Sequence, residues 1–228
     1  RESFRRAVSR RLEPGVRLAP GAFVRVTFAT GVAQDRSSAL ALVRKYRDAS
    51  AAARAFSMAS THVHITLQHL GLSDDQAMLF DRLASRVFGC DASCTSPEAM
   101  ARNVFGQANL WGYGISGDLP IVLVRIADVA HIDLVRHMVK AHAYWRLKGL
   151  TSDLVIWNED PSGYRQVLHD EIMSTVAALA VSDSMLDKPG GIFVRRMEQV
   201  SAEDRVLLQS VARLVLVDEN GTLAEQAE

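Results

Sequence analysis

The feature that most constrains this chain is a regular alternation in its second half. Four short apolar runs occur there: residues 121–126, interrupted only by Arg125, then 154–157, 192–194 and 214–217. A strand covered on both faces must be apolar along its whole length, not at every second residue. The stretches between the runs carry helical spacing instead. Leu134, Val135, Met138, Ala141 and Trp145 share one side of a helix over 132–147, which Gly149 ends. Val167, Ile172, Val176 and Leu179 mark a second helix within 163–180. A third opens at Ser201-Ala202-Glu203-Asp204 and runs through Leu207 and Leu208. Strand–helix repetition of this kind predicts a small α/β unit over 105–228, with a parallel sheet and right-handed crossovers. Its strands are expected near 121–126, 153–157, 192–195 and 213–217.

Upstream, residues 34–104 read as a helical linker section. Asp35 is a candidate N-cap, with Leu40, Val43 and Tyr46 following at helical spacing. Phe56, Ala59, Val63, Leu67 and Leu70 form a stripe on a helix over 51–70, and Gly71 suits its end. Ser73 and Gln76 have the spacing of a capping box, before a helix carrying Met78, Leu79, Leu83 and Val87. Ser96-Pro97 places an N-cap before a first-turn proline. Before this section, Pro20-Gly21 signals a turn, and Phe23, Arg25 and Thr27 alternate with Val24, Val26 and Phe28 as in a strand. Two short strands are only marginally stable alone. Residues 1–33 are therefore expected to close a β domain lying further upstream. The opening Arg-Glu-Ser-Phe-Arg-Arg and the polar close, through Glu228, read as cuts through a longer polypeptide.

Charge narrows the function classes. Lys plus Arg and Asp plus Glu are equal at 26 each, and this balance argues against nucleic acid as a partner. Arg5, Arg6, Arg10 and Arg11 form a local basic cluster all the same. No apolar run approaches the roughly 18 residues of a membrane span, so no membrane contact is expected of this segment itself. Cys90 and Cys94 have the wrong spacing for the common redox motif and read as inert thiols. His62 and His64 lie on different sides of a helix, outside any H-E-x-x-H pattern, so no metal is expected.

Ligands of open parallel sheets bind beyond the carboxyl ends of the strands. Those ends carry Arg125 and Asp128, then Asn158, Glu159 and Asp160, then Arg195 and Arg196, then Asp218 and Glu219. The cluster at 158–160 is the most site-like, although solvated loops are polar anyway. Asp153 with Glu159 or Asp160 offers paired carboxylates for glycoside chemistry. Before the first strand, Gly114-Ile115-Ser116-Gly117-Asp118 lacks the second glycine of a nucleophile elbow. Gly112, Gly114 and Gly117 match G-x-G-x-x-G, but the string precedes a strand where the phosphate-binding motif follows one. Two readings of the loop remain. Trp111 and Tyr113 present flat faces to a sugar or a neighbouring domain, or they pack inward.

The string from Gly106 to Val124, containing Asn109-Leu110-Trp111-Gly112-Tyr113-Gly114-Ile115-Ser116-Gly117-Asp118-Leu119-Pro120, resembles the cyclic β-1,2-glucan synthases and the related glycoside phosphorylases of β-1,2-glucans. The resemblance continues through His142, Tyr144-Trp145-Arg146-Leu147-Lys148-Gly149-Leu150, Asp153-Leu154-Val155-Ile156, Asn158-Glu159 and Tyr164. It extends through Gly190-Gly191-Ile192-Phe193-Val194-Arg195-Arg196 to Gly221-Thr222-Leu223-Ala224-Glu225-Gln226. Upstream, Leu18-Ala19-Pro20-Gly21 and Lys45-Tyr46-Arg47 also fit. It implies a large enzyme of the bacterial inner membrane, joining a UDP-glucose-dependent glycosyltransferase to a phosphorylase-like region of β-sandwiches and an (α/α)₆ barrel. Residues 1–33 would then end one β-sandwich, and the whole stretch would be a soluble, cytoplasmic portion without its own cofactor. The general acid of the phosphorylases belongs to the barrel, so no catalytic residue carries over to this chain. The expected role is an internal, non-catalytic segment supporting carbohydrate binding and glucan chain-length control. Its partners would be the neighbouring domains and β-1,2-glucan, with Asn109, Trp111, Tyr113, Ser116, Asp118, Asn158 and Glu159 as contact residues. The alternative is an independent α/β carbohydrate-active enzyme with its site at the strand ends.

Overall fold

The computed structural model describes residues 17–24, 28, 30–89, 97–160, 166–179 and 185–228. The chain divides into two compact units, Arg1–Thr61 and His62–Glu228.

In the first unit, Pro20 and Gly21 make the expected turn, closed by the Ala22 amide on the Ala19 carbonyl at 3.0 Å. The strand expected over 23–28 falls partly outside the described residues. Those described at 17–24, 28 and 30–33 carry no strand. Helix α1, Arg36–Tyr46, opens as its sequence predicts. The Asp35 carboxylate accepts the Ser38 amide at 2.9 Å and the hydroxyls of Ser37 and Ser38. These bonds, the Ser37 hydroxyl foremost, lower its pKa to about 2. No residue of α1 is buried.

Helix α2 spans Ala49–Leu70. Its apolar stripe is buried only at its end: Phe56 is 72% exposed, whereas Leu67 is 6% exposed. Helix α3, Asp74–Phe88, starts with the capping box of Ser73 and Gln76, both reciprocal bonds being present. It buries Ala77, Phe80, Leu83 and Val87. Of the apolar residues read on this helix, Leu83 and Val87 are buried while Met78 is 65% exposed, and the buried face runs through Phe80. Helix α4 spans Pro97–Arg102, and its expected cap, Ser96, lies outside the described residues, as do Cys90 and Cys94.

The rest is the α/β unit: strand β1 (Ile121–Ile126), α5 (Ile132–Leu147), β2 (Asp153–Asn158), α6 (Val167–Leu179), β3 (Ile192–Arg196), α7 (Ala202–Val211), β4 (Leu214–Val217) and the single turn α8 (Leu223–Gln226). All four strands are parallel, in the order β3-β2-β1-β4. The parallel sheet with helices is thus the expected class. Alternate residues feed two cores. Val122, Val124, Leu154, Ile156, Ile192, Leu214 and Leu216 face α5 and α6. Leu123, Val155, Trp157 and Phe193 face Leu207 and Leu208 of α7. This division follows from the strand order. The connections β1 to β2 to β3 step one way and the third leaps back past β1, so a constant crossover hand puts α7 on the opposite face.

Helix α5 is covered on two sides, which explains its nearly continuous burial. One side meets the sheet and the other meets α3. The rings of Phe80 and Tyr144 lie 6.1 Å apart, and the Trp145 indole N–H donates to the Phe80 carbonyl at 2.8 Å. In α6 the residue turned inward at the start is Leu168, while Val167 is 55% exposed.

Candidate functional site

The glycine-rich segment is a layer of the fold. Residues Gln107–Tyr113 wind as a 3₁₀ helix, whose Leu110 enters the second core together with Ile115 beyond it. They cover part of the sheet face on which α7 packs. Gly117 suits its left-handed φ of 75°, and a Cβ there would also lie 2.9 Å from Gln107 Cγ and 3.0 Å from Leu110 Cδ1. The Gln107 amide nitrogen donates to the Ser116 carbonyl at 2.7 Å and to Asp118 Oδ1 at 2.9 Å. The Ser116 hydroxyl accepts the Asp118 amide at 3.2 Å. Ser116 and Asp118 therefore hold the loop's own shape.

The two aromatic residues of the loop have different fates. Tyr113 is half-buried, and its hydroxyl donates to Asp204 Oδ2 at 2.7 Å. Burial, and then that carboxylate, push its pKa above the ordinary phenol value. The Arg195 guanidinium donates to the Tyr113 carbonyl at 2.6 Å. Trp111 points outward and is 64% exposed, with its indole N–H donating to the Ser116 carbonyl at 3.3 Å. Asn109 is exposed beside it in sequence. Of the two rings, Tyr113 is packed and tethered, and Trp111 is exposed.

Asn158 and Glu159 lie elsewhere. Arg125 Nε meets Glu159 Oε1 at 2.6 Å and Arg125 Nη2 meets Oε2 at 3.1 Å, a two-point clamp between β1 and the end of β2. Asn158 is buried, and its Oδ1 accepts the Asp160 amide at 2.9 Å, closing a local turn. Asp118 immediately precedes the amino end of β1, whereas Asn158 and Glu159 sit at the carboxyl end of β2. Six residues of strand separate Asp153 from Glu159, roughly 20 Å at 3.3 Å per residue. That is too far for Asp153 to pair with Glu159 or Asp160 as glycosidase carboxylates. The seven candidate residues therefore do not converge on one point.

One arrangement at the carboxyl ends has no motif behind it. Asp218, just past β4, is buried, and its Oδ2 accepts the amides of Ala127 at 2.9 Å and Asp128 at 3.1 Å. His131 Nδ1 lies 3.4 Å from the same oxygen. A cleft of about 570 Å³ adjoins it, walled in part by His131, His137, Asp133 and Thr222. In sequence, Asp218 is one polar strand end among several. Only the adjacency of β1 and β4 singles it out. Among the described residues, no group of three or more His, Cys, Asp or Glu side chains is placed to hold a metal ion.

Many residues that carry the family resemblance bind the fold together. His142 Nε2 meets the Ser152 carbonyl at 2.9 Å, and burial lowers its pKa. Arg146 donates to the Gly190 carbonyl at 2.9 Å, and Asp153 accepts the Gly190 amide at 2.6 Å. The Gln226 side chain accepts from Val217 N at 3.0 Å and donates to Val217 O at 2.9 Å, imitating one rung of a fifth strand on the open edge of β4.

No family model matches this chain. Among curated proteins it is similar to the cyclic beta-(1,2)-glucan synthase NdvB of Rhizobium meliloti (strain 1021), with 29% identity over 212 residues, 92% of this chain. The chain spans 8% of that protein's length and matches an internal part of it.

Proposed function

We propose that this chain is a non-catalytic segment of a cyclic β-1,2-glucan synthase, whose α/β unit serves as a scaffold and offers the growing glucan an aromatic contact at Trp111. The observation that carries the reading is the state of that residue. Its indole N–H is held by the Ser116 carbonyl while most of the ring stays in solvent. An aromatic ring held in place pays little entropy when a pyranose face stacks on it. Asn109, exposed two residues earlier, would supply a hydrogen bond to a sugar hydroxyl. Two further observations support a non-catalytic role: Glu159 is clamped by Arg125, and Asn158 is held in its own turn. In this reading UDP-glucose is consumed at a site of the surrounding polypeptide, in the bacterial inner membrane, and this portion lies on the cytoplasmic side against neighbouring domains. Chain-length control would then reflect how long the glucan stays on the segment. None of the helices among the described residues is long and apolar enough to cross a membrane.

Tryptophan fluorescence of the full chain tests the sugar contact directly. Of the three tryptophans, Trp145 and Trp157 are buried at 1% and 0% exposure, so a ligand-dependent change reports Trp111. Titration with β-1,2-glucan oligosaccharides is expected to shift the emission to the blue and reduce acrylamide quenching. Trp111→Ala should weaken glucan affinity by ~1–3 kcal/mol, the range of aromatic stacking on other ring ligands. An unchanged spectrum at saturating glucan, or unchanged affinity in the variant, would refute sugar contact and leave only a spacer role.

A further inference from the structure

The strand order reverses between β1 and β4, and in open α/β sheets the crevice at that reversal is where ligands enter. Two backbone amides converge there, those of Ala127 and Asp128, directly after β1. Successive amides aimed at one point form a concavity that takes an anion, most often a phosphate. Here both donate to a single oxygen, Oδ2 of Asp218, whose side chain is 3% exposed. The carboxylate arrives from the adjacent strand end, so it is delivered by the sheet itself. His131 completes its surroundings. No glycine follows β1, since Ala127, Asp128 and Val129 occupy the turn, and this backbone is not shaped to let a larger anion approach. Two more carboxylates, Asp133 and Glu225, line the adjoining cleft. Asp133 is paired with Arg136, and Glu225 is held by Thr222.

We infer that Asp218 is a built-in anion that occupies the phosphate position of this sheet and closes the unit to nucleotides and other phosphate ligands. A unit with the strand order of a nucleotide-binding half thereby becomes a scaffold: the backbone donors that would hold a phosphate are satisfied within the chain, and a second anion would face a buried like charge. This inference is independent of glucan contact at Trp111 and stands or falls on other measurements.

Hydrogen exchange of the full chain, read at the Ala127 and Asp128 amides, tests it, with inorganic phosphate, formate and UDP as probes. In the unmodified protein both amides are expected to be protected and indifferent to all three. Asp218→Gly should speed their exchange about tenfold or more, the factor implied by losing a charge-assisted hydrogen bond. Formate or phosphate should then restore protection saturably, as chemical replacement of the missing carboxylate. If Asp218→Gly unfolds, the buried emission of Trp145 and Trp157 reports it, and the same anions should refold the variant. Asp218→Asn, which keeps an acceptor and loses the charge, should show weaker protection and little response to formate. Saturable binding of phosphate or UDP at these amides in the unmodified protein would overturn the inference. So would an Asp218→Gly variant that neither anion re-protects or refolds.

Discussion

The clamp between Arg125 and Glu159 makes the sharpest prediction, because Glu159 is the residue that an enzymatic reading needs most. Its two bonds, at 2.6 and 3.1 Å, tie β1 to the segment after β2, with side chains 28% and 15% exposed. An exposed ion pair contributes ~0.2–1 kcal/mol, because water and salt screen it. Hydrogen bonds to charged groups contribute ~1.5–3 kcal/mol when enclosed. The clamp is two-pronged but not fully enclosed, so its coupling is expected at about 1–2 kcal/mol. A double-mutant cycle with Arg125→Leu, Glu159→Gln and the double variant measures it, using urea unfolding followed by tryptophan fluorescence. Most of the coupling should survive in ~1 M salt, because the screening length of ~3 Å is comparable to the contact distances and the pair is partly shielded by protein. A coupling below ~0.3 kcal/mol would refute the clamp. Glu159 would then be available for acid–base chemistry at the strand ends, and the scaffold reading would lose its main support.

Asp153 is buried, and burial raises its pKa, helped by the nearby Asp118 and opposed by the Gly190 amide. A folded-state pKa above the unfolded one means that the native state holds the proton more tightly, so this residue favours folding increasingly as pH falls from neutral toward the ordinary carboxylate range. Asp153→Asn, whose side-chain oxygen still accepts the Gly190 amide, should remove that contribution; thermal melts of both proteins across pH check it, and parallel curves would contradict it. Gly191→Ala should lower the urea midpoint by the equivalent of about 2 kcal/mol or more. A Cβ there would overlap the Met185 carbonyl oxygen and lie 2.8 Å from that of Lys188, and backbone atoms yield poorly. An unchanged midpoint would mean that residues 185–191 run differently.

Much of the architecture is readable from residue order because local physics dictates it. Strands covered on both faces need unbroken apolar runs, and those runs fall on β1 through β4. Asp35, Ser73 and Ser201 cap helices because their side chains reach unpaired amides within three residues. Spacing is less decisive about which side of a helix turns inward. Met78 and Phe80 fit comparable stripes, and the choice of Phe80 came from the groove beside Tyr144 and Trp145 on α5. The candidate site was less legible still. Trp111 and Tyr113 look equivalent in sequence, and only the position of Asp204 separates the tethered ring from the exposed one.

By itself, then, the sequence determined the alternation of strands and helices, most of the caps, the balance of charge and the likeness to a glucan synthase. Each of these depends on residues close together in the chain or on their overall number. Tertiary structure alone decided the order β3-β2-β1-β4, because pairing between distant strands is set by which layers can cover which faces. That order brought Asp218 to the amides after β1, and it separated Asp118 from Glu159 by the length of a strand. It also left β4 at an edge, where a side chain nine residues further on, Gln226, pairs with Val217.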